Sequence, residues 1–523
     1  MERKWWTLIA VSVAIFMLLL DITVVNVALP DIQSSLHSSF QDLQWVVNAY
    51  SLTLAAFLLT AGALADRFGR RMVFVTGLVV FTLSSAACGL AGSPLALNLA
   101  RAVQGAGGAM MFATSLALIA GAFHGKERGL AFGVYGGVIG GAVAVGPIIG
   151  GVITSGIGWE WIFFVNVPIG IAAVVLTLTQ VAESRDPNAR GVDWLGLVTF
   201  SGSLFLLVFA LIEGNEKGWG STRIVGFLAA SAVLIVLFVI VERRQARPML
   251  DLTLFAKPAF AGASIVAFAI SASMFSMFLY LTLYIQDVLG YSPLQAGVRF
   301  LPITLLSFFV APLSGRLSVR VPIRLLLGSG LLLVSIGLLT MSAVDANSTW
   351  TVLVPGFVLA GAGIGLINPP LASTAVGVVH HSRSGMASGI NNTFRQVGIA
   401  TGIAGLGAIF QHDVTRNTTA ALAGGPGREV LHAAHGKLST ALVSGEVGHV
   451  ARALPGPARD ALMHAYRTGF TEAFSSILVI AACVALAGSL FAFALVRSSD
   501  FVAPAGAPGG EGAGGGEAAP VAA

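Results

Sequence analysis

Two ionisable residues stand where an apolar chain should carry no charge. Asp21 lies in Leu18-Leu19-Leu20-Asp21-Ile22-Thr23-Val24-Val25-Asn26-Val27-Ala28-Leu29-Pro30, the close of an apolar run that begins at Trp5. No basic residue follows or precedes it for several turns. A charge at mid-bilayer depth costs at least ~2.5–3.5 kcal/mol, so such a group marks a functional site by default. A membrane carboxyl that can hold or release a proton is the core of a proton-coupled machine. The alternative is a carboxylate permanently neutralised by an Arg of a neighbouring helix. Arg101 offers itself: Arg101, Gln104, Gly105 and Gly108 share one helical face at i, i+3, i+4 and i+7. Asp21 lies roughly 13 Å and Arg101 roughly 10 Å below the same membrane face, counting 1.5 Å per residue from Pro30 and Pro94. The pair is expected to meet, as a proton-coupling couple or as a salt bridge that only locks the fold.

Three other strings carry a pattern. Gly62-Ala63-Leu64-Ala65-Asp66-Arg67-Phe68-Gly69-Arg70-Arg71 reads as a tight loop on the inner side, its glycines permitting a sharp turn. Asp66 would cap a helix or form a gate contact. Gly146-Pro147-x-x-Gly150-Gly151 is a small-residue stripe with a helix bend, suited to close packing that seals or rocks an interface. Phe268, Met274, Phe275, Met277, Phe278, Tyr280 and Tyr284 crowd one segment. Such a surface suits varied apolar cations, or simply faces lipid and neighbouring helices. Asn391 and Arg395 share a face later on. Arg395 either lines a central cavity or bonds nearby carbonyls. Asn26, Met274, Phe275, Phe278, Asn391 and Arg395 are the candidate cavity residues.

The elements that must position these groups are membrane helices. The chain has 523 residues, 56% hydrophobic and only 10% charged, with mean hydropathy +0.86. Soluble domains carry about 25% charged residues. Apolar segments of spanning length recur about fourteen times. The fold class is therefore an all-α polytopic membrane protein. Lys and Arg gather on one side: Arg3, Lys4, Arg67, Arg70, Arg71 and Lys126 begin a series that the short outer loops match only with Lys217 and Arg223. That asymmetry predicts both termini in the cytoplasm. The net charge of +5 is spread over short loops, so no nucleic acid is expected as partner. No Gly-x-x-x-x-Gly-Lys-Ser/Thr occurs, which argues against an ATP-driven pump. The nine His lack metal-ligand spacing, so no metal or other cofactor is expected. Cys88 and Cys483 read as core residues. Residues 412–468 are expected as a long outer loop containing a short surface helix. Residues 498–523 are expected as a disordered cytoplasmic tail.

A repeat is visible. Gly62-x-x-x-Asp66-Arg67 recurs as Gly315-x-x-x-Val319-Arg320, Gly105-Ala106-Gly107 as Gly361-Ala362-Gly363, and Gly129-x-x-x-Gly133 as Gly385-x-x-x-Gly389. Repeated bundles with substrate held between them are the plan of many secondary transporters. The second copy loses the charges: Val319 replaces the Asp, and Phe357 stands at the place of Arg101. Proton chemistry is expected in the first copy. The predicted division is 1–182 for a first six-helix bundle, 183–257 for an inserted helix pair, and 258–497 for a second six-helix bundle.

Together these strings resemble the major facilitator superfamily, and within it the fourteen-helix drug:proton antiporters of EmrB/QacA type. Leu20-Asp21-x-Thr23-x-Val25-Asn26-Val27-Ala28-Leu29-Pro30, Arg101-x-x-Gln104-Gly105-x-Gly107, the Gly62–Arg71 string, Gly146-Pro147-x-x-Gly150-Gly151 and Trp159-Glu160-Trp161-Ile162-Phe163-Phe164-Val165-Asn166-Val167-Pro168 carry the likeness. The resemblance implies two six-helix bundles plus an inserted pair, and export of amphipathic small molecules across the cytoplasmic membrane, driven by the proton gradient. It implies that Asp21 and Arg101 couple to protons, that Asp66 is part of an inner gate, and that Gly62, Arg67, Gly69, Arg70, Gln104, Gly105, Gly146, Pro147 and Gly150 belong to the gating and motif positions. The expected partners are an amphipathic substrate, protons and the lipid bilayer, and the chain is expected to act as a monomer. An endogenous product is an alternative substrate, and a transport-inactive sensor an alternative role.

Overall fold

The computed structural model describes residues 2–123, 125–184, 193–245, 248, 250–318, 320–378, 384–423, 447, 451 and 454–497. The predicted tail 498–523 and most of 424–453 lie outside them. Among the described residues the chain is helical and has no strand. In lipid only a helix, or a closed barrel, satisfies every backbone N–H and C=O internally.

The first bundle holds α1 (Arg3–Leu36), α2 (Phe40–Phe68), α3 (Arg70–Gly89), α4 (Pro94–Ala122), α5 (Gly125–Gly156), and a span broken at Val165 into α6 (Trp161–Phe164) and α7 (Asn166–Gln180). Then come α8 (Trp194–Lys217) and α9 (Thr222–Arg244). The last group begins with α10 (Pro258–Ile270) and α11 (Ser276–Leu283), with π-helical turns at Ser271–Phe275 and Tyr284–Val288. It continues with α12 (Pro293–Arg299), α13 (Leu301–Leu317), α14 (Ile323–Met341), α15 (Val354–Gly377), α16 (Ser384–Leu422) and α17 (Gly456–Leu495). Twelve spans among the described residues are long and apolar enough to cross a membrane. The segments expected as fifth and thirteenth crossings, α5 and α16, are outside that set. Of α5 only Val145–Gly156 counts as an apolar helix among the described residues, and α16 carries Asn391, Asn392, Arg395 and Gln396 near its start.

Three expectations are corrected. The Gly62–Arg71 string is not a loop: α2 runs to Phe68 and α3 starts at Arg70, so the turn is Gly69 alone. Its φ of 115° lies where only glycine is unstrained. The 412–468 stretch is not all loop either, because α16 continues to Leu422 and the expected short surface helix is the first part of α17. In each case the helix outlasts its apolar run. Polarity marks where lipid ends, whereas backbone hydrogen bonding carries the helix further. Lastly, Cys483 is exposed on α17 instead of buried.

The repeat is visible in packing. In α4, a side chain at Gly105 would strike the Tyr50 carbonyl of α2, and one at Gly107 would lie 2.7 Å from the Phe81 nitrogen of α3. In α15, Gly361 faces Ile303 of α13 in the same way, and Gly363 faces Gly330 and Val334 of α14. Where α4 has Arg101, α15 has Phe357, wholly buried beside Phe300 with ring centroids 5.8 Å apart.

α8 and α9 are held together by reciprocal bonds: the Ser203 hydroxyl donates to the Ser231 carbonyl (2.9 Å) and the Ser231 hydroxyl to the Ser203 carbonyl (2.8 Å). Of the two, α8 lies against α2 and α16, where Asn215 donates to the Ala408 carbonyl.

The first and last groups meet along α2 with α16 and along α5 with α12 and α13. Their polar contacts cluster at the end away from the N-terminus. The Gln44 amide donates to the Ile403 carbonyl (3.1 Å), Gln286 to the Val27 carbonyl (2.7 Å), and the Leu294 N–H to the Ser155 hydroxyl (3.0 Å). Phe40 packs there on Tyr280 and Phe410.

Candidate functional site

Five helices converge on Asp21. Arg101 of α4 places Nη1 2.5 Å from Asp21 Oδ2, with the two side chains 2% and 0% exposed. Asp21 Oδ1 accepts from Gln104 Nε2 of α4 (3.0 Å) and from Asn166 Nδ2 at the start of α7 (3.1 Å). Arg101 Nη1 also donates to Gln104 Oε1 (2.7 Å), and its Nε to the Val46 carbonyl of α2 (3.1 Å). Its guanidinium lies 4.3 Å from the Tyr50 ring centroid and 5.7 Å from that of Phe163. Asn166 Nδ2 donates onward to the Ser85 hydroxyl of α3 (3.0 Å), which donates to the Phe163 carbonyl (2.9 Å). The Cys88 thiol faces Gln104 Oε1 at 3.6 Å.

The arrangement has a clear chemical logic. Burying one charge is prohibitive, and burying a pair is tolerable only when the remaining lone pairs and protons are matched. Here every neighbour of the carboxylate is an N–H donor, and Arg101 is a permanent cation. A proton can therefore settle on Asp21 only if one donor turns away.

Asp21 lies close to α5, the helix that meets the last group. Within one turn of chain beyond it, α1 is pressed against α5. A side chain at Gly146 would overlap Thr23, and one at Gly150 would lie 3.1 Å from Val24. On its far side α5 meets α12: Gly151 faces Leu294 and Pro293, and Gly297 leaves room for the Pro147 carbonyl. The helix runs unbroken through Pro147.

The other predicted residues fall in different places. Gly105 serves the α2–α4 approach, and Gly108 lies by Tyr50 and Leu18. Gly69 sits against Glu183, whose carboxylate accepts the backbone N–H of Arg71 (2.9 Å) and Met72 (3.1 Å), capping α3. A carboxylate suits this positive helix end. The Arg70 N–H donates to the Ser184 carbonyl (2.8 Å). Arg67 is exposed, its guanidinium 5.2 Å from the Phe68 ring. Gly62 has no close neighbour. Asp66 lies on α2, but its side chain is outside what the structure describes.

Of the cavity candidates, Met274 is wholly buried in the core of the last group. Asn391 is nearly so and donates to the Ala263 carbonyl (3.3 Å). Both are packing residues here, because helices surround that face. Asn26 bonds the Ile22 carbonyl of its own helix (3.1 Å). Phe275 and Phe278 are partly exposed and 6.2 Å apart. Arg395 donates to Asn368 Oδ1 (2.7 Å) and lies 5.7 Å from the Phe275 ring. Among the described residues no three His, Cys, Asp or Glu side chains gather as a metal would need.

Sequence reasoning did not give Asn166, Ser85, Val46 or Tyr50 a part in the site. The available signal was a lone polar side chain in an apolar span, as Asn166 is between Val165 and Val167.

Residues 11–403 match the family model of the Major Facilitator Superfamily. The chain is 40% identical over 404 residues to the multidrug resistance protein Stp of Mycobacterium tuberculosis, covering 77% of this chain and 75% of that one. It is 37% identical over 408 residues to the tetracenomycin C resistance and export protein of Streptomyces glaucescens, covering 78% and 76%. Its fold is similar to the crystal structure of a bacterial homologue of the human lysosomal transporter Spinster, with TM-score 0.61 and 19% identity over 96% of this chain and 99% of that chain. The chain belongs to the Major Facilitator Superfamily, and is a multi-pass membrane transporter and not an enzyme.

Proposed function

We propose that the chain is a proton-coupled exporter of amphipathic small molecules, drugs among them, with Asp21 as proton carrier and Arg101 as its fixed counter-charge. The observation that carries this reading is Asp21 itself: a buried carboxylate in a membrane helix, caged by donors from two other helices and within one turn of the α1–α5 contact. The relatives named for multidrug resistance and for tetracenomycin C export support the substrate class.

In this reading the chain crosses the cytoplasmic membrane fourteen times, counting α5 and α16. Both termini are cytoplasmic, as the Lys/Arg distribution favours. Residues 1–182 and 258–497 form the two bundles, and 183–257 the added pair of α8 and α9, with α8 beside α2 and α16. The closed end with Gln44, Gln286 and Ser155 is then the outer gate, and the bundles part on the inner side. The Gly62–Arg71 segment, with Asp66, Arg67, Gly69 and Arg70, is the inner gate. Asn26, Phe275, Phe278 and Arg395 border the substrate path. The proton gradient is the sole driving force, and a monomer suffices.

The test is drug export in proteoliposomes with an imposed pH gradient and tetraphenylphosphonium as probe. Export should follow the gradient in wild type and vanish in Asp21→Asn. Gradient-independent movement, or an active Asp21→Asn variant, would remove proton coupling at this residue. A second reading, export of a compound the cell itself makes, is favoured by the relative named for both resistance and export. Screening the substrate range separates the two.

A further inference from the structure

We infer that Asn166 is the positioning residue that reads the proton on Asp21, by reversing the direction of the hydrogen-bond chain Asp21–Asn166–Ser85–Phe163. This rests on the reading of Asp21 as the proton carrier.

Of the three donors around Asp21, Asn166 alone can reverse. A protonated Asp21 needs an acceptor for its new O–H, and the present cage offers only N–H groups. Arg101 has no acceptor atom. Gln104 has one, Oε1, but that atom already accepts from Arg101 Nη1 at 2.7 Å. If the Gln104 amide were turned, its NH2 would face the guanidinium, donor against donor. Gln104 is therefore fixed by a group that can only donate. Asn166 differs in its second partner. Its Nδ2 donates both to Asp21 Oδ1 and to the Ser85 hydroxyl. A hydroxyl can donate or accept, and Ser85 now spends its proton on the Phe163 carbonyl.

Turning the Asn166 amide by half a rotation puts Oδ1 where Nδ2 stood. It then accepts the Asp21 O–H from one side and the Ser85 O–H from the other. The proton comes from the aqueous phase and forms an O–H bond on Asp21. No other covalent bond changes, no electron moves, and the Phe163 carbonyl gives up its Ser85 contact. The ionised state thus ties Ser85 to Phe163, and the protonated state ties Ser85 to Asn166. Phe163 and Asn166 flank the break between α6 and α7. The proton on α1 is read out at a helix break in the sixth span.

The titratable groups around Asp21 are few. Arg101 comes from α4, Tyr50 from α2 and Cys88 from α3. α6 and α7 contain none. From α5 the facing residues are Gly146 and Gly150. On α11, Tyr280 is bonded to the Ile403 carbonyl, and on α12 Arg299 is bonded to the Gln295 carbonyl. Among the described residues, Gln104 and Asn166 are the amides bonded to Asp21, and of these Asn166 alone can turn.

The test is the pH profile of tetraphenylphosphonium transport in proteoliposomes, for wild type, Asn166→Leu, Ser85→Ala and Asp21→Asn. Asn166→Leu removes a charge-assisted donor from the ionised carboxylate and a neutral acceptor from the protonated one; the first is the stronger bond by about 1 kcal/mol, so the midpoint should move upward by roughly 0.7 pH unit. Ser85→Ala keeps the Asn166–Asp21 contact and loses a partner in both states, so its midpoint should stay within a few tenths of a unit. An unmoved profile in Asn166→Leu, with Asp21→Asn inactive, overturns the relay and leaves the carrier in place. An active, pH-responsive Asp21→Asn overturns the carrier instead. A readout independent of variant folding is the pH-induced infrared difference spectrum of wild type. It should contain an asparagine amide carbonyl shift titrating together with the Asp21 carboxyl band, and its absence contradicts the inference.

Discussion

Replacing Arg101 by Met tests whether the buried pair is a single energetic unit. In the native protein Arg101 supplies one of three donors to Asp21, and also serves Gln104 Oε1 and the Val46 carbonyl. Removing it leaves a wholly buried carboxylate with two amide donors and no counter-charge. Breaking a buried pair in this way costs about 3–5 kcal/mol. Asp21→Asn is milder. It keeps an acceptor for Gln104 and Asn166, and Arg101 retains Gln104, Val46 and the Tyr50 ring, so the loss should be about 2 kcal/mol. The double variant is the informative one. With no charge left to strand, it should be no less stable than Arg101→Met alone, which amounts to a coupling of about 2 kcal/mol. Unfolding in mixed micelles, followed by helical circular dichroism, measures all four proteins. Additive losses, with the double variant worse by the sum of the two, would refute the pairing.

Two further outcomes follow from local geometry. Gly105→Ala would place its methyl on the Tyr50 carbonyl and should cost at least about 1–3 kcal/mol, whereas Gly62→Ala meets nothing within 4 Å and should stabilise α2 by about 0.5–1 kcal/mol. Thermal unfolding of the two variants decides it, and equal effects would contradict the packing. Gln44→Leu together with Gln286→Leu removes two hydrogen bonds across the closed end. At about 0.5–1.5 kcal/mol each, this should raise thiol labelling of a cysteine placed at Ala408 by roughly 5-fold to 100-fold, and unchanged labelling would mean that these bonds do not hold the end shut.

The depth of Asp21 and Arg101 was legible in the sequence because both are measured from helix-starting or helix-ending prolines at a fixed rise. Their meeting is what the structure adds to that arithmetic. Asn166 and Ser85 were not legible, because their role depends on α7 packing on both α1 and α3, and periodicity says nothing about which helices are neighbours. The glycine stripe on α5 read as close packing, since a missing Cβ has a direct steric meaning. Which neighbour each glycine serves was open: Gly105 turned to α2, Gly107 to α3 and Gly151 to the other bundle. Polar strings misled most. The Gly62–Arg71 segment and the end of α16 looked like loops, yet they are helix extended past the apolar zone. Met274 shows the matching limit for aromatic and Met-rich runs. With π-helical turns on either side of α11, face assignment by a 3.6-residue period fails.

The most direct measurement is proton release on substrate addition to detergent-solubilised protein in weak buffer, wild type against Asp21→Asn, with tetraphenylphosphonium as the added cation. If Asp21 carries the proton that substrate displaces, wild type acidifies the medium in a saturable way and Asp21→Asn does not, while substrate binding to the variant persists. Equal proton release from both proteins would place the carrier elsewhere and contradict the account.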